Sequence, residues 1–167
     1  MNTDEKEKPM QARIDYLKTA LAPKLVKHLV SAAKVVDGSE LPLATRELVN
    51  IRASQINGCS GCLDMHTKDA AHAGETTTRL NLIACWREAT VFTEAERAAL
   101  ELTEQGCRLA DGSGVTDEAW AAAAKHYDDE QLVALVTQIA LINAFNRLNV
   151  ITRQPAGDYT PGQFAGH

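Results

Sequence analysis

Apolar residues recur at helical spacing along most of this chain. In the stretch 43–56, Leu48, Val49, Ala53 and Ile56 mark one face of a helix, and Asn57-Gly58 supplies a stop because both residues tolerate a left-handed backbone. A second helix is predicted over 59–74. Thr93 followed by Glu96 fits a capping box that starts a helix running to about residue 110, and Asp111-Gly112-Ser113-Gly114 then reads as a loop. Thr116 is placed to cap the alanine-rich stretch 117–127, and Asp128 the run in which Leu132, Val133, Leu135, Val136, Ile139, Ala140, Ile142 and Phe145 form a wide apolar face. Upstream, Leu17, Leu21, Leu25, Leu29 and Val36 keep mostly helical spacing over 16–36, with Pro23 dividing the run into two pieces. No segment alternates with the period of a strand. The expected fold is all-α, a single-domain helical bundle over 13–153 with no significant sheet, flanked by a flexible extension at 1–12 and a flexible, Pro- and Gly-bearing tail at 154–167.

Composition narrows the class. Of 167 residues 45% are hydrophobic and 23% charged, enough apolar content for a sizeable core. The formal net charge of −5 and the lack of a basic stripe argue against a nucleic-acid partner. The first ten residues mix acids and bases without the apolar stretch of a secretory signal. The longest nearly apolar run, 132–142, falls short of the ~20 residues a spanning helix requires. The expectation is therefore a cytoplasmic protein with no membrane segment. In a reducing compartment, the four cysteines point to catalysis or metal binding rather than to structural disulfides.

Cys59 and Cys62 form a C-x-x-C pair, and without a βαβ unit nearby a thioredoxin fold is not the explanation. At the start of a helix both thiols lie in the first turn, where unpaired amides and the positive end of the dipole favour thiolate. His66 follows Cys62 by one helical turn, so it shares a face with that sulfur and can exchange a proton with it directly or through a water, which makes Cys62 the better-served thiol. If the two helices about Asn57-Gly58 pack antiparallel, Glu47 and His66 lie at matching depth, and Glu47 can orient and polarise the imidazole. The plainer alternative is a surface ion pair of Glu47 with Arg46 or Arg52. A half zinc site at Cys59 and Cys62 is a further alternative, although only three ligands can be assembled where a closed site takes four. Cys85 and Cys107 read as inert buried thiols, and His28, His72 and His126 as surface or capping residues. Asn143, Asn146 and Asn149, three residues apart, could line a site, but their default reading is as amides satisfying helix ends or a subunit contact.

Glu47, the run Arg52-Ala53-Ser54-Gln55-Ile56-Asn57-Gly58-Cys59, Cys62 and Asp64-Met65-His66 together resemble the alkylhydroperoxidase D-like branch of the carboxymuconolactone decarboxylase superfamily. Trp86-Arg87-Glu88-Ala89, the run from Phe92 to Arg97 and that from Ile142 to Asn149 extend the resemblance over about 13–155. It implies an all-α fold, homo-oligomers such as trimers or hexamers, and thiol-dependent reduction of hydroperoxides without a cofactor or metal. In that scheme Cys62 is the peroxidatic cysteine, Cys59 the resolving cysteine, and His66 with Glu47 the proton relay, while an external dithiol of lipoyl or thioredoxin type resets the disulfide. Gly61 departs from the pattern, since peroxidases of this group can carry a histidine between the cysteines. A general thiol–disulfide oxidoreductase and a redox-sensing oligomer remain the alternative classes.

Overall fold

A computed structural model describes residues 11–112 and 114–164. Over them the chain is helical, with α1 at Ala22–Asp37, α2 at Leu43–Asn57, α3 at Ser60–His72, α4 at Thr77–Leu82, α5 at Glu94–Cys107, α6 at Asp117–Ala124 and α7 at Asp129–Thr152. Short 3-10 turns lie at Tyr16–Lys18 and Ile83–Cys85, and no strand occurs among the described residues. The caps expected from the sequence are in place. Thr93 and Glu96 complete a capping box on α5, Thr116 accepts from the Ala119 amide, and Asp128 with Gln131 forms a second box on α7.

The differences lie at element ends. Pro23 sits in the first turn of α1, where its missing N–H costs nothing, so the break in the N-terminal run falls before it, at 19–21. α5 stops at Cys107 and α6 at Ala124, both short of the expected ends. The sequence reading gave no helix between residues 74 and 93, yet Thr76 caps α4 by accepting from the Arg79 amide.

α2 is the axis of the bundle. It packs against α3, α5 and α7, and Thr45, Arg46, Leu48, Val49, Asn50, Ile51, Ala53 and Ser54 are buried along it, so apolar and polar side chains alike face neighbours on several sides. One apolar cluster joins Val36, Leu41, Val49, Leu102, Leu135 and Ile139, and another joins Leu48, Ile51, Ile83, Trp86, Phe92 and Leu100. A third, smaller cluster of Ala53, Cys59, Cys62 and Ile142, with Cys107 and Phe145 against it, holds the cysteine pair.

α7 has 24 residues, and its most apolar window has a mean hydropathy of 1.2, so by length and composition it could cross a membrane. The window is 44% buried inside the bundle, as befits a core helix. Val133, Val136, Val150 and Ile151 on the same helix remain exposed.

The C-terminal segment also departs from the expected loose tail. Lys68 on α3 donates from Nζ to the carbonyls of Gly157 and Tyr159, Asp64 accepts their amides, and the Tyr159 hydroxyl donates to Asp69, so residues 157–162 run along α3 as a strap. Polar pairing does here what the composition, rich in Pro and Gly, gave no sign of. The N-terminal extension at 1–10 lies outside the described residues.

Candidate functional site

The turn between α2 and α3 sets the site. Gly58 adopts φ +66°, ψ +31°, a left-handed conformation that glycine takes without a Cβ clash, and the Cys59 amide reaches back 2.9 Å to the Ser54 carbonyl. That reversal folds α3 back along α2. Glu47 Oε2 and His66 Nδ1 meet at 2.9 Å, each side chain about 15% exposed. The carboxylate accepts the Nδ1–H, which fixes the imidazole tautomer and leaves Nε2 as the basic nitrogen. Asn50 Nδ2 lies 3.3 Å from the same Nδ1, and Asn50 Oδ1 is held by Gln138 Nε2 from α7 at 2.5 Å. Neither arginine weighed as a partner takes Glu47. Arg46 donates to the carbonyls of Val36 and Asp37, and Arg52 to Glu104 and Gln55.

Cys59 is the N-cap of α3, and its sulfur accepts the Cys62 amide at 3.5 Å. Cys62 occupies the third helical position. Cys59 and Cys62 are 1% and 2% exposed, so both thiols are sheltered from bulk water. A hydrogen bond from the Cys62 thiol lowers the Cys59 pKa to about 6, against burial and with help from the Cys62 amide, Asn149 and Asn146. Cys62 moves the opposite way, because its proton is held by Cys59 and because burial and the neighbouring negative charge oppose a second ionisation. The first ionisation therefore belongs to the pair, with the two sulfurs sharing the remaining proton and the charge biased toward Cys59.

The sequence reading had Cys62 as the better-served thiol, through His66. Among the described residues no direct hydrogen bond joins His66 to either sulfur. The polar contact of Cys62 to another helix comes instead from α7, where Asn149 Nδ2 donates to Cys62 Sγ at 3.2 Å. The asparagine row is thus more than the helix-end amides it was read as. Asn146 donates to Ser54 Oγ, Asn57 Nδ2 donates to both Asn143 Oδ1 and Asn146 Oδ1, and Asn143 donates to Cys107 Sγ at 3.2 Å. The signal in the sequence was their three-residue spacing on a helix that must pack over the α2–α3 turn.

The other cysteines divide. Cys107 is partly buried and its pKa is raised by burial. Cys85 is exposed, contrary to expectation, because the turn at Ile83–Cys85 points Ile83 and Trp86 into the core. His28, His72 and His126 are exposed. Among the described residues no group of three or more His, Cys, Asp or Glu side chains is arranged to hold a metal.

Comparison with known proteins places this geometry in a family. The carboxymuconolactone decarboxylase family model matches residues 23–105, which include Glu47, Cys59, Cys62 and His66. The uncharacterized protein YdfG of Bacillus subtilis (strain 168) is 40% identical over 141 residues, spanning 84% of this chain and 94% of its own. A crystal structure of an Agrobacterium tumefaciens protein of unknown function, provisionally an AhpD antioxidant defence protein, superposes with a TM-score of 0.83 at 34% identity, covering 89% of this chain and all of that one. The debrominase Bmp8 shares the fold at 20% identity, with a TM-score of 0.72 over 81% of this chain and 73% of its own. A buried cysteine pair at the mouth of α3, on a bundle this similar, makes the chain a member of the carboxymuconolactone decarboxylase family, in its alkylhydroperoxidase D-like branch.

Proposed function

We propose that this protein is a thiol-dependent peroxidase that reduces small hydroperoxides through Cys59 and Cys62. The observation that carries the reading is the dithiol in the first turn of α3, with one sulfur biased toward thiolate and a carboxylate-held imidazole one turn further along the same helix. Likeness to a protein linked with antioxidant defence supports it.

The chemistry balances in two steps and a reset. Cys59 takes the Cys62 proton along the hydrogen bond they share, so Cys59 acts as the base first assigned to His66. The Cys62 thiolate attacks the distal peroxide oxygen, the O–O bond breaks, and the leaving alkoxide or hydroxide takes a proton that His66 has first bound from solvent at Nε2, while its Nδ1–H stays on Glu47. Cys62 is now a sulfenic acid. The Cys59 thiol condenses with it, forming the disulfide and releasing water. An external dithiol of lipoyl or thioredoxin type then reduces the disulfide by exchange and becomes oxidised itself. The cytoplasm, where such dithiols are kept reduced, suits a chain whose four cysteines are all free. The exposed Val133, Val136, Val150 and Ile151 on α7 support a homo-oligomer, a trimer or hexamer by the resemblance.

The test is consumption of hydrogen peroxide and cumene hydroperoxide with dithiothreitol as reductant. Wild type should turn over both, and Cys62→Ser should not. Turnover of a disulfide substrate with none of either peroxide would establish a general thiol–disulfide oxidoreductase instead.

A further inference from the structure

Asn149 stands in contact with a sulfur that the sequence gave it no reason to meet, and we infer that it is a catalytic residue of the dithiol, the donor that stabilises Cys62 while its sulfur is anionic. This role rests on the redox reading of the Cys59–Cys62 pair, although it does not require that the oxidant be a peroxide.

The geometry gives three reasons. First, Asn149 Nδ2 points at Cys62 Sγ from 3.2 Å, within the range of an N–H···S hydrogen bond, and it comes from α7 rather than from the helix that carries the thiol. A donor on a separate, rigid helix keeps its place when the first turn of α3 shifts as the disulfide forms and breaks. Second, Cys62 is 2% exposed, so water cannot solvate a charge there. Burial and the Cys59 charge both disfavour a Cys62 thiolate, whereas the amides of Asn146 and Asn149 oppose them. An N–H held beside a buried anion is worth more than the same contact in water, because no solvent competes for it. Third, the space is kept for it. A Cβ placed on Gly61 would lie 3.7 Å from Asn149 Nδ2, which is ordinary contact, so alanine is tolerated there and any longer side chain directed the same way meets the amide. Gly61, the departure from the family pattern, thus leaves room for Asn149 beside Cys62.

Asn149 then acts at two stages. It lowers the cost of moving the proton from Cys62 to Cys59, and it holds the Cys62 sulfur in line while the O–O bond of the oxidant breaks. Asn146 also favours the Cys62 thiolate, but its own hydrogen bonds run to Ser54 Oγ and Asn57, whereas Asn149 donates to the Cys62 sulfur itself.

Asn149→Ala and Asn149→Asp are the variants that test this, with Gly61→His as a third that crowds the amide without removing it. Two readouts are taken on the reduced protein: thiolate absorbance near 240 nm against pH, and the rate of Cys62 carbamidomethylation by iodoacetamide at pH 7, followed by peptide mass. Neither involves peroxide. Asn149→Ala should slow Cys62 alkylation at least about tenfold and move thiolate formation to higher pH. Asn149→Asp, which sets a second negative charge beside the sulfur, should do more. Gly61→His should fall between wild type and Asn149→Ala. Circular dichroism melting checks that each variant is folded, and Asn149→Gln, which keeps the donor, serves as a rescue if alanine unfolds the protein. Wild-type alkylation and titration in folded Asn149→Ala, or in Asn149→Asp should alanine not fold, would overturn the inference. If these shifts occur while the wild-type protein fails to consume any peroxide, the inference stands and the peroxidase reading falls.

Discussion

Glu104→Gln should destabilise the bundle by about 3–5 kcal/mol at neutral pH. Glu104 is 6% exposed on α5 and accepts hydrogen bonds from Trp86 Nε1 at 2.9 Å, Arg52 Nε at 2.8 Å, Arg87 Nη1 at 2.8 Å and Arg108 Nη1 at 3.3 Å. Burial alone would raise its pKa, but the donors from Trp86 and Arg87 and the charge of Arg52 pull it down to about 2 from an ordinary 4.5. At ~1.4 kcal/mol per tenfold, that difference corresponds to about 3 kcal/mol in favour of the charged, folded form. Glutamine also leaves the Arg52 guanidinium, only 12% exposed, without its counter-charge, and breaking one side of a buried pair costs about 3–5 kcal/mol. The two figures describe the same interaction and are not summed. Urea unfolding at fixed protein concentration reads the effect. With a slope of roughly 1–3 kcal/mol per molar, the midpoint should fall by about 1 M or more. The sign with pH follows from the lowered pKa. The contribution is complete above the unfolded value near 4.5 and is lost as pH falls toward 2, so the gap between wild type and variant should narrow across that window. A variant within about 1 kcal/mol of wild type at pH 7, or a gap that stays constant down to pH 2, would refute the reasoning.

Three further outcomes follow from the site. Glu47→Gln should slow the peroxide step by at least tenfold with little change in melting temperature, because the amide keeps the shape but not the charge that fixes His66; stopped-flow peroxide reduction decides, and wild-type rates would demote Glu47 to a structural partner. Alkylation of Cys59 should persist down to about pH 6 and fail below it, since its lowered pKa keeps the thiolate populated at neutral pH, and Cys62→Ala, which removes the principal donor, should push that midpoint upward. Sedimentation at micromolar concentration should give a species several times 18.1 kDa, and Val133→Lys with Val136→Lys should shift it toward monomer.

The bundle was legible because its helices announce themselves locally. Thr93, Thr116 and Asp128 are caps whose partners lie three residues away, and Gly58 needs no distant contact to take its left-handed turn. The meeting of Glu47 with His66 followed from one added assumption, antiparallel packing about that turn. What escaped depends on contacts between elements far apart in sequence. Asn149 meets Cys62 only because α7 crosses the α2–α3 turn, and the spacing of the asparagines does not say which helix they face. The strap at 157–162 is held by Asp64, Lys68 and Asp69, whose charges look like a solvated helix face until the tail lies on them. The coupling of the two thiols escaped for a related reason. A periodicity argument brought His66 to Cys62, whereas the stronger influence on each sulfur is the other sulfur.

The central claim is that Cys59 and Cys62 are a redox pair oxidised by peroxide, and intact-protein mass spectrometry tests it directly. Reduced protein is treated with one equivalent of hydrogen peroxide, weighed, digested without reduction and mapped, and a second sample is returned to dithiothreitol before weighing. The account requires a loss of two hydrogens confined to the peptide bearing Cys59 and Cys62, reversed by the dithiol, with Cys85 and Cys107 still open to alkylation. Cys59 and Cys62 remaining alkylatable after peroxide treatment, or oxidation falling on Cys85 or Cys107 instead, would contradict it.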